Sequence, residues 1–389
     1  MYDFFRSISK GRVALKRKII NFIKCILTYI PLKKVIIFES VPDVEGNTRA
    51  VFDEMIRQNM NEQYKLVWLV RNLDNMRNDL GENVYFYKKP KNLMEKIIYI
   101  LKYFNVAAKV SENDCYPKFH QKTLALHLGH GSPIKDTGTL MYIDGAADYV
   151  TYKHESLKEI TAKLHNLNED QLLCLGYPRN DNLLKGNAMK YVEKFIVWLP
   201  TFRKFDDDRV DSQYYFPFGV PIFKEQSEIE RLNLILAKND TVLYIKPHFV
   251  SQLELWDDIA CSHIQIITED YYKNKGLLLY EFLGMSQALI TDYSSVYFDY
   301  LLVDKPIGIT LDDLHEYEKG RGFIFDDFKD AVKGEYIYEY EQLEQFVLNC
   351  IYEKIDTKQL VEMKFKYNHY TDNGSSKRVV NFIKQQLGE

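Results

Sequence analysis

The chain has little of what marks the more specialised protein classes. Its five cysteines (Cys25, Cys115, Cys174, Cys261, Cys350) are odd in number and far apart, with no Cys-x-x-Cys pair. That pattern fits neither a disulfide framework nor a zinc site, and it implies a reducing, cytoplasmic setting. No run of eighteen apolar residues occurs, and no small-residue cleavage site follows an apolar core near the N-terminus. The sequence therefore supports neither a membrane span nor secretion. Glycine and proline are modest at 18 and 11 residues, no stretch is low in complexity, and no short-period repeat is present, so neither disorder outside the termini nor a solenoid is expected.

What is present is a folded chain of two-domain size: 389 residues, 46% of them hydrophobic, enough to bury a large core. The net charge of −4 is unevenly spread. Residues 1–34 hold nine basic side chains (Arg6, Lys10, Arg12, Lys16, Arg17, Lys18, Lys24, Lys33, Lys34) against one acid, Asp3. Leu15, Ile19, Phe22, Ile23, Ile26 and Ile30 follow helical spacing, so this segment reads as a basic amphipathic helix for an anionic membrane surface. The acidic remainder argues against nucleic acid as a partner.

From residue 35 onward, short apolar runs alternate with helical stretches, which predicts an α/β fold with parallel sheets covered on both faces. Strands are expected at VIIFES, KLVWLV, NVYFY, VAAKV, KTLALHLG, ADYVTY and LLCLGY, then at FIVWLP, TVLYIKPH, IQIIT, ALITDY and PIGIT. Helices are expected near 48–60, 91–104, 225–238, 277–286 and 295–303, with a polar, helix-prone separator at 184–194. The division is residues 35–190 as a first Rossmann-like domain and 191–389 as a second, closed by its C-terminal helix. The two are expected to face each other across a cleft.

Ligands of open parallel sheets bind where loops leave the carboxyl ends of strands. In HLGHGSPIKDTG, Gly131 and Pro133 shape a corner that presents His130 for proton chemistry, while His127, inside the strand, reads as structural. Ser132 and Lys135 follow in the same loop, and Arg179 follows the strand in LGYPRND; these three are taken as acceptor-side or cleft residues. Thr201 and Arg203 lie just past a strand in LPTFR, where Arg203 can meet a phosphate. In YIKPHF, Lys246 and His248 emerge at a strand end as a cation and a phosphate-binding or protonating imidazole. The corner ALITDYSS turns into a helix whose first amides, with Thr291, Ser294 and Ser295, suit a pyrophosphate; Asp292 is placed to orient the loop or bond a ribose or base. Asp206, Asp207 and Asp208 read as a solvated loop, because consecutive side chains do not converge on one ion. No metal or other cofactor is expected.

Together HGSPIKDTG, GYPRND, PTFR, KPHF and ITDYSSVYFDYLLVDKPI resemble, in order and spacing, the CDP-glycerol glycerophosphotransferase family of bacterial teichoic acid synthesis, over roughly residues 35–385. The resemblance implies a glycosyltransferase-B-like fold held peripherally at the cytoplasmic face of the plasma membrane. It implies transfer of glycerol phosphate from CDP-glycerol to a lipid-linked saccharide or polyol-phosphate acceptor, with release of CMP. By that similarity His130 matches the proposed base and His248 a residue needed at the donor pyrophosphate. Arg203, Thr291, Ser294, Ser295 and Asp299 fall in donor-binding motifs. Gln287 stands where the family commonly carries Asp. The compact length points to a primase rather than a polymerase. A CDP-ribitol or other nucleotide-activated donor, and a nucleotide-binding assembly subunit without turnover, are the competing expectations.

Overall fold

The computed structural model describes residues 27–74, 76, 80–113, 118–138, 141–143, 146–190, 192–203, 211–247 and 259–389. The amphipathic reading of the N-terminal segment falls mostly on residues outside that set, as do Asp206, Asp207, Asp208 and His248. The strands in chain order are β1 (Lys33–Glu39), β2 (Lys65–Val70), β3 (Val84–Lys88), β4 (Val106–Ser111), β5 (Leu124–His127), β6 (Tyr149–Tyr152), β7 (Leu172–Cys174), β8 (Lys194–Leu199), β9 (Thr241–Ile245), β10 (Ile264–Ile266), β11 (Ala288–Thr291), β12 (Ile307–Thr310) and β13 (Glu335–Ile337). Helices used below are α1 (Gly46–Arg57), α2 (Leu93–Tyr103), α3 (Arg179–Ala188), α4 (Leu279–Met285), α5 (Val296–Tyr300) and α6 (Ser375–Leu387).

Two parallel sheets form, in the orders β3-β2-β1-β4-β5-β6-β7 and β10-β9-β8-β11-β12-β13. In each, the order reverses once: between β1 and β4 in the first sheet and between β8 and β11 in the second. Such a reversal opens a crevice beyond the strand ends, where doubly wound folds bind ligands. The strands are apolar on both faces because both are covered. In the second sheet Phe195, Val197 and Leu289 join one core, while Ile196, Trp198, Ala288 and Ile290 join the other. In the first sheet Val35, Ile37, Val67 and Leu69 pack under Tyr99 and Tyr103 of α2, and Phe38, Phe52 and Trp68 meet on the opposite face.

The strand expectations agree with the structure to within a few residues, apart from β13, whose short EYI segment gave no clear alternation. The helix expected over 48–60 is interrupted at Asn59, which adopts φ 56°, and a separate turn, Met60–Gln63, follows. The helix expected over 295–303 is five α-helical residues, α5, extended by a 3-10 turn at Leu301–Val303. The polar separator is α3, which begins at Arg179 itself.

The two sheets part between β7 and β8, on either side of residue 190, while the compact units are bounded differently. The compact units are residues 1–130, 143–151 and 376–389, and residues 131–142 and 152–375. In the second unit the segment after Gly131 is tied by main-chain pairing: Ile324 N donates to Ile134 O at 3.0 Å and Asp136 N to Gly322 O at 3.1 Å. In the first unit α6 packs Phe382 on Tyr149, with ring centroids 5.2 Å apart, and Lys384 Nζ donates to Gln58 Oε1 at 2.6 Å. The chain leaves and re-enters a unit, so a single cut cannot separate them.

Candidate active site

The first unit builds one cluster at its reversal point. α1 begins against Glu112, whose carboxylate accepts from Thr48 N at 3.0 Å and from Thr48 Oγ1 at 3.5 Å. A Cβ on Gly46 would sit 2.2 Å from Glu112 Oε1, and its φ is +71°, so only glycine fits at that helix entry. The loop after β5 is held equally firmly. Asn47 Nδ2 donates to Gly129 O at 2.9 Å, Thr151 Oγ1 to Leu128 O at 2.8 Å, and Gly129 N to His127 Nδ1 at 3.1 Å. His127 is buried and structural in this arrangement. His130, by contrast, is exposed at the corner, with Nδ1 2.8 Å from Asn113 Nδ2. Asn113 Oδ1 accepts in turn from Val41 N at 3.2 Å, so Asn113 joins the loops after β1, β4 and β5. Sequence reasoning missed Asn113; its only signal is its place just beyond a strand.

The second unit builds a charged cluster at its own reversal point. Arg203 clamps Asp313 with Nε (2.7 Å) and Nη2 (3.0 Å), and its Nη1 donates to Asp292 Oδ2 at 3.0 Å and Thr201 O at 2.6 Å. Burial opposes the guanidinium charge, but Asp292 and Asp313 outweigh it and raise its pKa above the usual arginine range. Asp292, fully buried, accepts from Thr201 N at 3.0 Å, from Thr201 Oγ1 and from Tyr293 N at 2.7 Å. Asp292 therefore orients the loop, one of the two roles expected for it. Two expectations are corrected here. Arg203 is occupied by carboxylates instead of being offered to a phosphate, and the buried Thr291 hydroxyl donates to Leu199 O at 3.0 Å. Asp313 was missed because it lies 110 residues from its partner.

Asp299 also differs from expectation. It is wholly buried and holds cations and a phenol: Lys153 Nζ donates to Oδ1 at 2.8 Å, while Arg179 Nη2 and Tyr280 OH each donate to Oδ2 at 2.7 Å. Burial alone would raise this carboxyl, but Arg179 and Lys153 overcome it and hold it at about 2. Asp299 thus fixes Arg179 and does not itself face a ligand. Lys153, 1% exposed, was not foreseen; it lies 146 residues from Asp299. Ser132, taken above as an acceptor-side or cleft residue, is likewise enclosed, at 1% exposure.

Several loops of the second unit converge on Gly131. A Cβ there would meet Ser295 Oγ at 2.4 Å, Ser295 Cβ at 2.9 Å and Arg179 Nη2 at 3.0 Å, and φ is +149°. Ser294 and Ser295 keep exposed surface where Thr291, Asp292 and Tyr293 do not. The expected serine cap is loose: Ser294 Oγ accepts from Val296 N at 3.5 Å, and Ser295 makes no side-chain cap bond. Lys135 keeps some surface, with Nζ 5.3 Å from the Phe202 ring centroid. Its ammonium sits among enough protein atoms that burial pulls its pKa down to about 8, against the pull of Asp292 and Asp211. Lys246, half-buried, ends β9 with its main-chain N–H on Trp198 O at 2.9 Å. Beyond β12 a cavity of about 290 Å³ is lined by Phe323, Asp326, Asp327, Phe328 and Lys329, among others. Its carboxylates suit hydroxyl or amino groups better than phosphate. Among the described residues no cluster of three or more His, Cys, Asp or Glu is arranged to hold a metal ion.

The chain is 29% identical over 248 residues to the teichoic acid glycerol-phosphate primase of Bacillus subtilis (strain 168), covering 62% of this chain and 58% of that protein. It is 24% identical over 400 residues to a teichoic acid ribitol-phosphate polymerase of Staphylococcus aureus (strain NCTC 8325 / PS 47), covering 95% of this chain and 72% of the relative. The solved wall teichoic acid polymerase TagF superposes with a TM-score of 0.69 at 20% identity, over 100% of this chain and 98% of that one, a likeness of fold. The family model for CDP-glycerol:poly(glycerophosphate) glycerophosphotransferases matches residues 21–385, nearly the whole sequence, and by that match the chain belongs to this family of transferases in teichoic acid biosynthesis.

Proposed function

We propose that the protein transfers glycerol phosphate from CDP-glycerol to a hydroxyl of a lipid-linked saccharide or polyol-phosphate acceptor, in teichoic acid or capsule-type polymer synthesis. The acceptor oxygen bonds to the β-phosphorus, the bond from that phosphorus to the bridging oxygen breaks, and CMP leaves with the electron pair. One proton is released. Such transfers pass through a loose transition state, so the protein contributes mainly positioning and stabilisation of charge on the phosphoryl oxygens.

The observation that carries this reading is the meeting at Gly131 of Ser295 and Arg179, in a chain whose family match runs from 21 to 385. Within the second unit, the loop that begins at Gly131 thereby adjoins the half-buried serines at the head of α5. Lys135, Lys246, Ser294, Ser295 and, outside the described residues, His248 are the groups we assign to the donor phosphates. Arg203 and Asp299 support the loops from beneath. Addition of a first unit is our reading, supported by the length of the primase match, 248 residues against 197 for a polymerase of the same 29% identity. A ribitol donor is the second reading, favoured by the ribitol-phosphate relative matched over 95% of the chain.

We place the protein peripherally on the cytoplasmic face of the plasma membrane. What supports this is the outer face of α2. Leu93 (74% exposed), Met94 (66%), Ile97 (42%), Ile98 (50%) and Leu101 (69%) form one apolar stripe at helical spacing. Lys88, Lys91, Lys96 and Lys102 are exposed around it. An apolar stripe ringed by lysine suits an anionic headgroup layer. No helix among the described residues is long and apolar enough to cross a membrane.

Incubation with CDP-glycerol and a short lipid-linked disaccharide, followed by product mass measurement, tests the reading. One added glycerol phosphate supports a primase and a ladder a polymerase. Absence of CMP release with every polyol donor and acceptor would sink it.

A further inference from the structure

We propose that Asn113 positions His130, holding the neutral ring with its proton on Nε2, so that His130 enters the reaction as a hydrogen-bond donor and not as a base. The inference rests on the glycerophosphotransferase reading and concerns the working state of its imidazole.

Three contacts in the first unit carry it. The main-chain N–H of Val41 can only donate, and it points at the Asn113 side chain from 3.2 Å. That end of the amide must therefore be the carbonyl oxygen. The other end is then the NH₂ group, which can also only donate, and it lies 2.8 Å from His130 Nδ1. Nδ1 must accept, so it carries no proton. In a neutral imidazole the proton is then on Nε2, since the bond made by one ring nitrogen fixes the state of the other. A doubly protonated ring would set Nδ1–H against the amide NH₂, and relief would require Asn113 to turn and abandon the Val41 N–H.

The anchoring is strong for a polar loop. Asn113 spans the reversal point between β1 and β4, and the His130 corner is fixed from behind by Asn47 on Gly129 O and Thr151 on Leu128 O. The ring is thus preset before any substrate arrives. A neutral Nε2–H suits a non-bridging oxygen of the transferred phosphoryl group, where charge must be stabilised. The acceptor oxygen bonds to the β-phosphorus, the bridging P–O bond breaks toward CMP, and the hydroxyl proton passes by way of phosphate oxygens to solvent. His130 keeps its own proton throughout. Asn113 touches no reacting atom and is a positioning residue.

The test is long-range ¹H–¹⁵N correlation of the full chain labelled with ¹⁵N-histidine, with the His130 signals assigned by their loss in His130→Gln. The expected result is a protonated Nε2 and a bare Nδ1; the reverse pattern overturns the tautomer without reference to activity. Asn113→Asp presents only acceptors, so Nδ1 takes a proton, and at a pH where the same spectrum shows the ring neutral Nε2 has lost its own. CMP release should then fall by about 10²-fold, the usual effect of removing one preorganised donor. An Asn113→Asp enzyme that is folded and as fast as the parent, or faster, at a pH where its His130 ring is neutral with a bare Nε2 overturns the donor role. Undiminished CMP release by His130→Ala would also remove that role, together with the reading of the site, and the labelled spectrum would still decide the tautomer.

Discussion

Replacing Asp299 by Asn tests most directly how the second unit holds its loops. The substitution keeps the shape but removes a charge that is wholly buried and bonded to Lys153, Arg179 and Tyr280. Two buried cations then face one another without a counter-ion; breaking a buried pair in this way costs ~3–5 kcal/mol. For a unit of this size each 1 kcal/mol moves the midpoint by roughly 2–4 °C, so the transition should fall by roughly 6–20 °C in calorimetry. The pH dependence follows from the same contacts. The carboxyl sits at about 2 in the fold against 3.8 ordinarily, so its contribution is complete above pH 3.8 and is lost as pH falls through 2. The parent protein should lose that contribution across this window and Asp299→Asn should not. Replacing Lys153 by Met in the Asp299→Asn background should recover part of the loss. A midpoint lowered by less than about 2 °C, equivalent to under ~1 kcal/mol, would refute the view that Asp299 is an internal anchor.

Gly131→Ala places a Cβ 2.9 Å from Ser295 Cβ at φ +149°, so stability should fall by ~1–3 kcal/mol and CMP release should drop with it; an unchanged rate would show that the meeting of these loops is incidental. Lys135 loses its charge as pH rises through about 8 instead of 10.5, so the donor KM should climb above pH 8 and Lys135→Arg should flatten that rise. The fold disfavours the charged form of Lys135, so stability itself should increase with pH between about 8 and 10.5, the opposite sign from the loss of binding. Ile98→Glu with Leu101→Glu on α2 should weaken sedimentation with anionic vesicles while leaving turnover on a soluble acceptor unchanged; retained vesicle binding would move the membrane contact elsewhere.

The sequence by itself determined the local and periodic features. Apolar runs such as KLVWLV and FIVWLP bury both faces, and that requirement is written into consecutive residues, so β2 and β8 were legible without a fold. The polar residues after such runs were legible as strand-end loops, and His130, Lys135, Arg179 and Ser295 stand in loops or at helix starts that follow strands. Side-chain partners could not be read in the same manner. Lys153 finds Asp299 across 146 residues and Arg203 finds Asp313 across 110, and no pattern within a strand or helix encodes which distant charge will neutralise a buried one. Thr291 and Ser294 look alike as small polar residues at one corner, yet one hydroxyl is spent on Leu199 O while the other residue keeps open surface. Tertiary structure alone decided that difference, because burial forces each polar group to find a partner, and the available partners are set only when the two strands flanking a sheet's reversal point come together.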